Sequence, residues 1–143
     1  MIEEIRKYIG TCPFLKGNKI NVNYLGESPA AYSIDSVPAT PVIKQYADGG
    51  QLCQQLFVLA SRELYTRSAL SNIAVARFYE DFACWIDENN RAGALPELPD
   101  GLKAQTVEVL TGQYLYDFSE TDARYQIQCR LIYYKEAQPR KEN

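Results

Sequence analysis

The chain has 143 residues, 15 Lys and Arg against 18 Asp and Glu, and no histidine, for a formal net charge of −3. That length fits a single hydrophobic core. The mildly acidic balance excludes a broad electrostatic footprint for nucleic acid, which needs clustered Lys and Arg, and the missing histidines remove His-dependent triads, His metal sites and the usual near-neutral proton shuttle.

Four cysteines at positions 12, 53, 84 and 129 are too far apart for a thiol metal knuckle or a redox dithiol pair. Cys53, Cys84 and Cys129 lie within apolar patterns and are expected to be buried free thiols. No run of 18 or more apolar residues occurs, and Glu3 and Glu4 replace the basic start of a signal peptide. A cytoplasmic origin with no membrane partner is therefore expected.

In chain order, Met1–Ile9 sets Ile2, Ile5, Tyr8 and Ile9 on one side of a short helix that Gly10 ends. Phe14 and Leu15 are expected to tuck under a sheet. Lys19–Leu25 alternates Ile20, Val22 and Tyr24 with Asn21 and Asn23, and Ala31–Val37 alternates again, the pattern of two half-buried strands. Gly26, Ser28 and Pro29 between them suggest a hairpin turn. Pro38 and Pro41 break the second strand. Val42–Tyr46 resumes extended structure, and Ala47-Asp48-Gly49-Gly50 turns it. Gln51–Ser61 is apolar on both sides in its second half and reads as a central strand.

A long helix is expected from about 68 to 91, with Thr66 or Ser68 as N-cap. Val75, Phe78, Tyr79, Phe82, Trp85 and Ile86 fall on one stripe at helical spacing. Arg77, Glu80, Asp81, Asp87 and Glu88 fall on the wet side. Gly93, Pro96 and Pro99 lead out of it. Gln105–Leu110 and Gln113–Phe118 read as strands, and Ser119–Asp122 as a loop tip. Arg124–Tyr134 alternates most cleanly, with Tyr125, Ile127, Cys129, Leu131 and Tyr133 inward and Arg124, Gln126, Gln128 and Arg130 outward. The expected fold is α+β: a mostly antiparallel sheet of five or six strands carrying the long helix and the short N-terminal helix on one face. It forms one domain over residues 1–137, followed by a flexible polar tail at 138–143.

No residue set points to catalysis, a cofactor or a metal. Asp81, Asp87 and Glu88 belong to a solvated helix face, and Gly49-Gly50 lacks the Lys and Ser/Thr of a phosphate loop. The eleven tyrosines fit core and interface roles better than base stacking. Two polar groups qualify as candidate interface: the outward row Arg124, Gln126, Gln128 and Arg130, and Lys44, Gln45 and Asp48 on the hairpin from Pro38 to Gly50. Gln54 and Gln55, set within an apolar strand, need hydrogen-bond partners, and a neighbouring subunit could provide them.

At VPATPVIKQYADGG, FVLASRELY, IAVARFYEDFACWI, LPELPDG, AQTVEVL and ARYQIQCRLIYY the chain resembles a family of minor capsid, or minor structural, proteins from tailed phages and prophages of Gram-positive bacteria. The resemblance covers about Lys19 to Lys135, with the segments in the same order. That family is similar in size and layout to the tail terminator proteins of long-tailed phages. The resemblance implies a virion protein, assembled in the host cytoplasm, that forms a ring, commonly hexameric. Such a ring caps the tail tube and meets the head connector. It implies no catalytic residue. A head-completion or connector protein is the nearest alternative, and a small enzyme a more distant one.

Overall fold

Two strands of 14 residues each, β4 (Gln51–Leu64) and β7 (Asp122–Lys135), run antiparallel in unbroken register, from Gln51 opposite Lys135 to Leu64 opposite Asp122. The computed structural model describes residues 1–15, 20–23, 25, 31–64, 69–119 and 122–137. Around the central pair it places α1 (Ile2–Ile9), a 3-10 turn at Pro13–Leu15, β1 (Ile20–Val22), β2 (Tyr32–Val37), β3 (Val42–Gln45), α2 (Ala69–Ala92), β5 (Leu102–Val109) and β6 (Tyr114–Phe118). The fold is α+β, as the alternation and helical spacing imply. The N-cap candidates Thr66 and Ser68, the Gly26 to Pro29 turn, the tip at Glu120 and Thr121, and the tail at 138–143 lie outside the described residues.

The sheet has seven strands, in the order β1-β2-β4-β7-β5, with β3 added to β4 and β6 to β7. The expected five or six is too few for a geometric reason. Each central strand is long enough to carry two short ones end to end along its outer edge. Along β4, β3 pairs at Leu52 and Cys53 and β2 from Leu56 to Ser61; along β7, β6 pairs from Ala123 to Gln126 and β5 from Cys129 to Lys135. The expected β1–β2 hairpin is also corrected. These strands pair in parallel, Ile20 opposite Tyr32 and Val22 opposite Ile34, so the sheet is mixed. Alternation tells which side chains face inward but not which way a neighbour runs.

The turn between β3 and β4 follows the Asp-Gly-Gly signal. Tyr46 N–H donates to Gly50 O at 2.8 Å, and Gly49 takes a positive φ of 90°. A side chain at position 50 would meet the Tyr134 hydroxyl and displace that ring.

Both helices pack on one face of the sheet. Tyr79, Phe82 and Ile86 of α2 and Ile5, Tyr8 and Ile9 of α1 are buried in one cluster with Ile34, Phe57, Leu59, Ile127, Cys129 and Leu131. Val75, Phe78 and Trp85 complete the α2 stripe at its margins. Aromatic rings join the layers: Tyr8 lies 5.1 Å from Trp85, and Tyr32 lies 5.6 Å from Phe78, centroid to centroid. Phe14 departs from its expected place. It is exposed, while its neighbour Leu15 is buried, because consecutive residues in a tight turn cannot both point at the core.

Two polar contacts fix the register of helix on sheet. The Tyr79 hydroxyl, 2.6 Å from Ser61 Oγ, donates to Tyr125 O at 3.0 Å, satisfying groups buried by the ring itself. Near the helix C-terminus the Asn90 amide donates to Val107 O at 2.7 Å and accepts from Val107 N–H at 3.1 Å, so the side chain pairs with β5 as another strand would.

Phe82 is completely buried at the centre of the stripe. Phe82→Ala is expected to lower unfolding free energy by about 3–5 kcal/mol, read by urea denaturation. A loss below about 1 kcal/mol would show that the stripe does not anchor α2.

Candidate functional site

The face of the sheet away from the helices is polar and carries no helix among the described residues. Alternation sends Ser33 and Asp35 of β2, Gln54, Val58 and Ala60 of β4, Glu108 of β5 and Arg124, Gln126, Gln128 and Arg130 of β7 to this side, and strand register sets them in rows. The face assignment of the β7 row thus agrees with the alternation. Its solvation does not: Gln126 is buried, and Arg124, Gln128 and Arg130 are half-buried.

Arg124 holds one end of this face together. Its Nη2 donates to Asp35 Oδ2 at 2.8 Å, its Nε donates to Gln126 Oε1 at 3.1 Å, and its guanidinium lies 4.9 Å from the centroid of Tyr116. Asp35 also accepts from the Ser33 hydroxyl, and Gln126 Nε2 donates to the Tyr114 hydroxyl at 2.5 Å. The chain of contacts runs from β2 across β4 to β7 and β6. A strand lies between Asp35 and Arg124, and their rows on it, Val58 and Arg62, are four residues apart, so the ion pair runs diagonally across β4. Ala60 lies beneath that path. It is fully buried, and a larger side chain would stand where the guanidinium crosses.

A second cluster lies farther along the sheet. Arg130 Nε and Nη2 donate to Glu108 Oε2 at 2.9 and 2.6 Å, and Nη1 donates to Gln54 Oε1 at 3.1 Å. Gln54 Nε2 in turn donates to Thr40 O at 2.8 Å, and Gln55 Nε2 to Leu56 O at 2.9 Å. Both amides therefore find partners within the chain itself.

Lys44, Gln45 and Asp48 are exposed on the β3–β4 hairpin. Asp48 Oδ1 accepts from Gly50 N–H at 2.8 Å, and the Lys44 ammonium lies 5.2 Å from the centroid of Tyr46. The structure joins Arg124 to Gln126 and keeps Arg130 nearby, but it does not bring the hairpin residues to them. Lys44 pairs at Leu52 and Arg124 at Arg62, which sets them about 33 Å apart along β4 at ~3.3 Å per residue.

Alternation alone did not reveal Asp35, Glu108 and Tyr116 as partners of the two arginines, nor Tyr114 as the partner of Gln126. The available signal was parity: Asp35 and Glu108 stand on outward positions of their strands. Choosing a partner also needs the strand order, which alternation does not give. The exposure of β6 escaped too. Its five residues are all exposed, Tyr116 at 62 % and Phe118 at 58 %.

A groove of about 640 Å³ lies on the helical side, between α1, the end of α2 and residues 94–99, with Lys7, Tyr8, Trp85 and Asn89 on its walls. Burial raises the Tyr8 hydroxyl pKa above its ordinary value, partly offset by the bond from Asn89 Nδ2 at 3.2 Å. Such a lining can cradle an apolar group but pairs no nucleophile with a base. Among the described residues, no group of three or more His, Cys, Asp or Glu is placed to hold a metal, and no helix is long and apolar enough to cross a membrane. No protein-family model matches the chain, and no curated protein matches it significantly.

Cys12, Cys53 and Cys129 are buried thiols, whereas Cys84 is exposed. The apolar neighbours of Cys84 misled the sequence reading: two positions beyond Phe82 is a rotation of about 200°, to the wet side of the helix.

Two measurements test this description. Arg124→Ala is expected to cost about 1–3 kcal/mol of stability, because it strands the partly covered Asp35. Arg130→Ala is expected to cost less than about 1 kcal/mol, since that pair is wetter and screened. Urea denaturation of the two variants gives the order, and equal losses would reject it. For the thiols, burial pushes Cys129 up to about 12 from an ordinary value of 9.0. The folded state therefore holds its proton more tightly than the unfolded state. The stability this contributes is complete below about pH 9 and is lost as pH rises toward about 12. At pH 8 a thiol reagent should label the native protein rapidly at Cys84 alone and reach the other three only in denaturant. Rapid native labelling of Cys129 would contradict this packing.

Proposed function

We propose that this chain is a structural virion protein of a tailed phage or prophage, a tail terminator or head–tail joining protein whose copies close into a ring, such as a hexamer, over the tail tube. The observation that carries the reading is the pair of unlike exposed surfaces on the two flanks of one sheet: the β3 hairpin with Lys44, Gln45 and Asp48, and the apolar edge strand β6. A ring requires two different patches on each subunit that meet head to tail. The ordered resemblance to minor structural proteins of phages supports the same reading, and the chemistry of the polar face is compatible with it. Its arginines are engaged by carboxylates and amides, which suits a surface for wet protein–protein contacts better than one that must capture phosphate.

The partners this implies are further copies of the chain, the major tail tube protein on one side and head connector proteins on the other. Neither sequence-specific nucleic acid nor membrane belongs among them. A net charge of −3 would also keep DNA from adhering while it passes through such a ring.

The test is electron microscopy of the purified chain with tail tube protein and, separately, with portal protein. Rings alone, or caps at one end of each tube, are the expected result. Binding to portal complexes only would move the protein to the connector. A strict monomer in both mixtures would overturn the assembly reading.

A further inference from the structure

We infer that the subunit contact is made by β3 of one copy and β6 of the next, paired as antiparallel edge strands so that two sheets become continuous. The inference deepens the ring reading and rests on it.

Four observations carry it. First, β3 pairs with β4 alone and β6 with β7 alone, so each has an outer side with no strand on it among the described residues. Such an edge is a template for another strand. Second, the helices pack against β1, β2 and β5, not principally against these two. Third, β3 with the residue after it and β6 present apolar side chains to water: Ile43 is 44 % exposed and Tyr46, just past β3, 37 %, while Leu115 is 42 % exposed and Tyr116 62 %. In each strand the register against its partner shifts, between Val42 and Lys44 and between Leu115 and Asp117. The two bulge positions, Ile43 and Tyr116, are thereby turned outward.

Fourth, charge decides which strand meets which. Lys44 is the one charged residue of β3 and Asp117 the one charged residue of β6. Pairing β6 with a second β6 leaves each Asp117 opposite an uncharged residue or another carboxylate, and pairing β3 with β3 leaves Lys44 equally uncompensated. Pairing β3 with β6 sets Lys44 opposite Asp117. In that antiparallel register both charges stand on the polar face, since Lys44 pairs with Leu52 and Asp117 with Arg124. The contact is heterologous, so repetition generates a ring or a filament rather than a closed dimer.

The test uses the full chain with the exposed Cys84 changed to Ser. Lys44→Cys and Asp117→Cys variants are oxidised separately and as a mixture. A disulfide-linked dimer is expected in the mixture and not in either variant alone. Equal linkage within one variant would overturn the pairing in favour of a symmetric contact. In parallel, sedimentation is used to follow self-association of charge variants. Lys44→Asp or Asp117→Lys should each weaken it by about tenfold or more, and the double exchange Lys44→Asp with Asp117→Lys should restore most of it. If the chain assembles but neither single variant weakens it, the edge contact falls and the ring stands. If the unaltered chain stays monomeric even with tube protein, the ring falls and this contact falls with it.

Discussion

The β4–β7 ladder is the constraint on which the molecule depends. Fourteen residues pair with fourteen without a bulge, so every side chain on both strands has a fixed face and a fixed row. A slip of β7 by one residue would bring Ile127 and Leu131 to the polar side and drive Arg124 and Arg130 into the core. Burying two unpaired guanidinium groups while exposing two large apolar side chains is far outside the few kcal/mol that hold a domain together. Register is therefore specified from both sides of the sheet at once.

The two faces use that register differently. On the helical side the helices supply large rings, and the few polar groups buried there are paired locally, as Ser61 is with Tyr79. On the other side no helix is present among the described residues, and the covering is made by long side chains lying flat. Arg124 lies over small Ala60 to reach Asp35, and Arg130 reaches sideways to Glu108 and Gln54. The alkyl stems of these arginines shield β4 while their heads stay bonded. That explains why Val58 and Ala60 are buried on a face that no helix among the described residues covers.

Much of this was legible in the residues. The period of Val75 to Ile86 gave α2, and the period of Tyr125 to Tyr133 gave the two sides of β7. The double-sided apolar run at Phe57–Ala60 gave β4 its central place. What could not be read were relations between elements. Nothing local in Ile20–Val22 states that it lies parallel to β2, and nothing in YLYDF at β6 states that the strand stands at an edge, since Tyr, Leu and Phe are equally at home in a core. The candidate site fared alike. Arg124, Gln126, Gln128 and Arg130 were found together because they share one strand, whereas Asp35 and Glu108 were missed because they come from others. Lys44, Gln45 and Asp48 were read correctly as outward residues of a hairpin; they occupy the other end of β4 from Arg124 and do not form one patch with it.

The mismatch in strand length has a consequence beyond the core. Among the described residues, two long strands flanked by short ones leave four separate edges instead of two. The helices pack near two of them, over β1 with β2 and over β5. The other two, β3 and β6, lie at opposite ends and on opposite sides of the central pair. Proteins that must stay apart guard such edges with Pro, Lys or inward charges. Here each edge carries one charge, of opposite sign, beside exposed Ile, Leu or Tyr. A single opposite charge on each edge is a poor barrier to association in general, but it discriminates among partners, because only the unlike edge satisfies it. Because the two edges are unlike and displaced across the sheet, a contact between them is heterologous and can repeat from copy to copy.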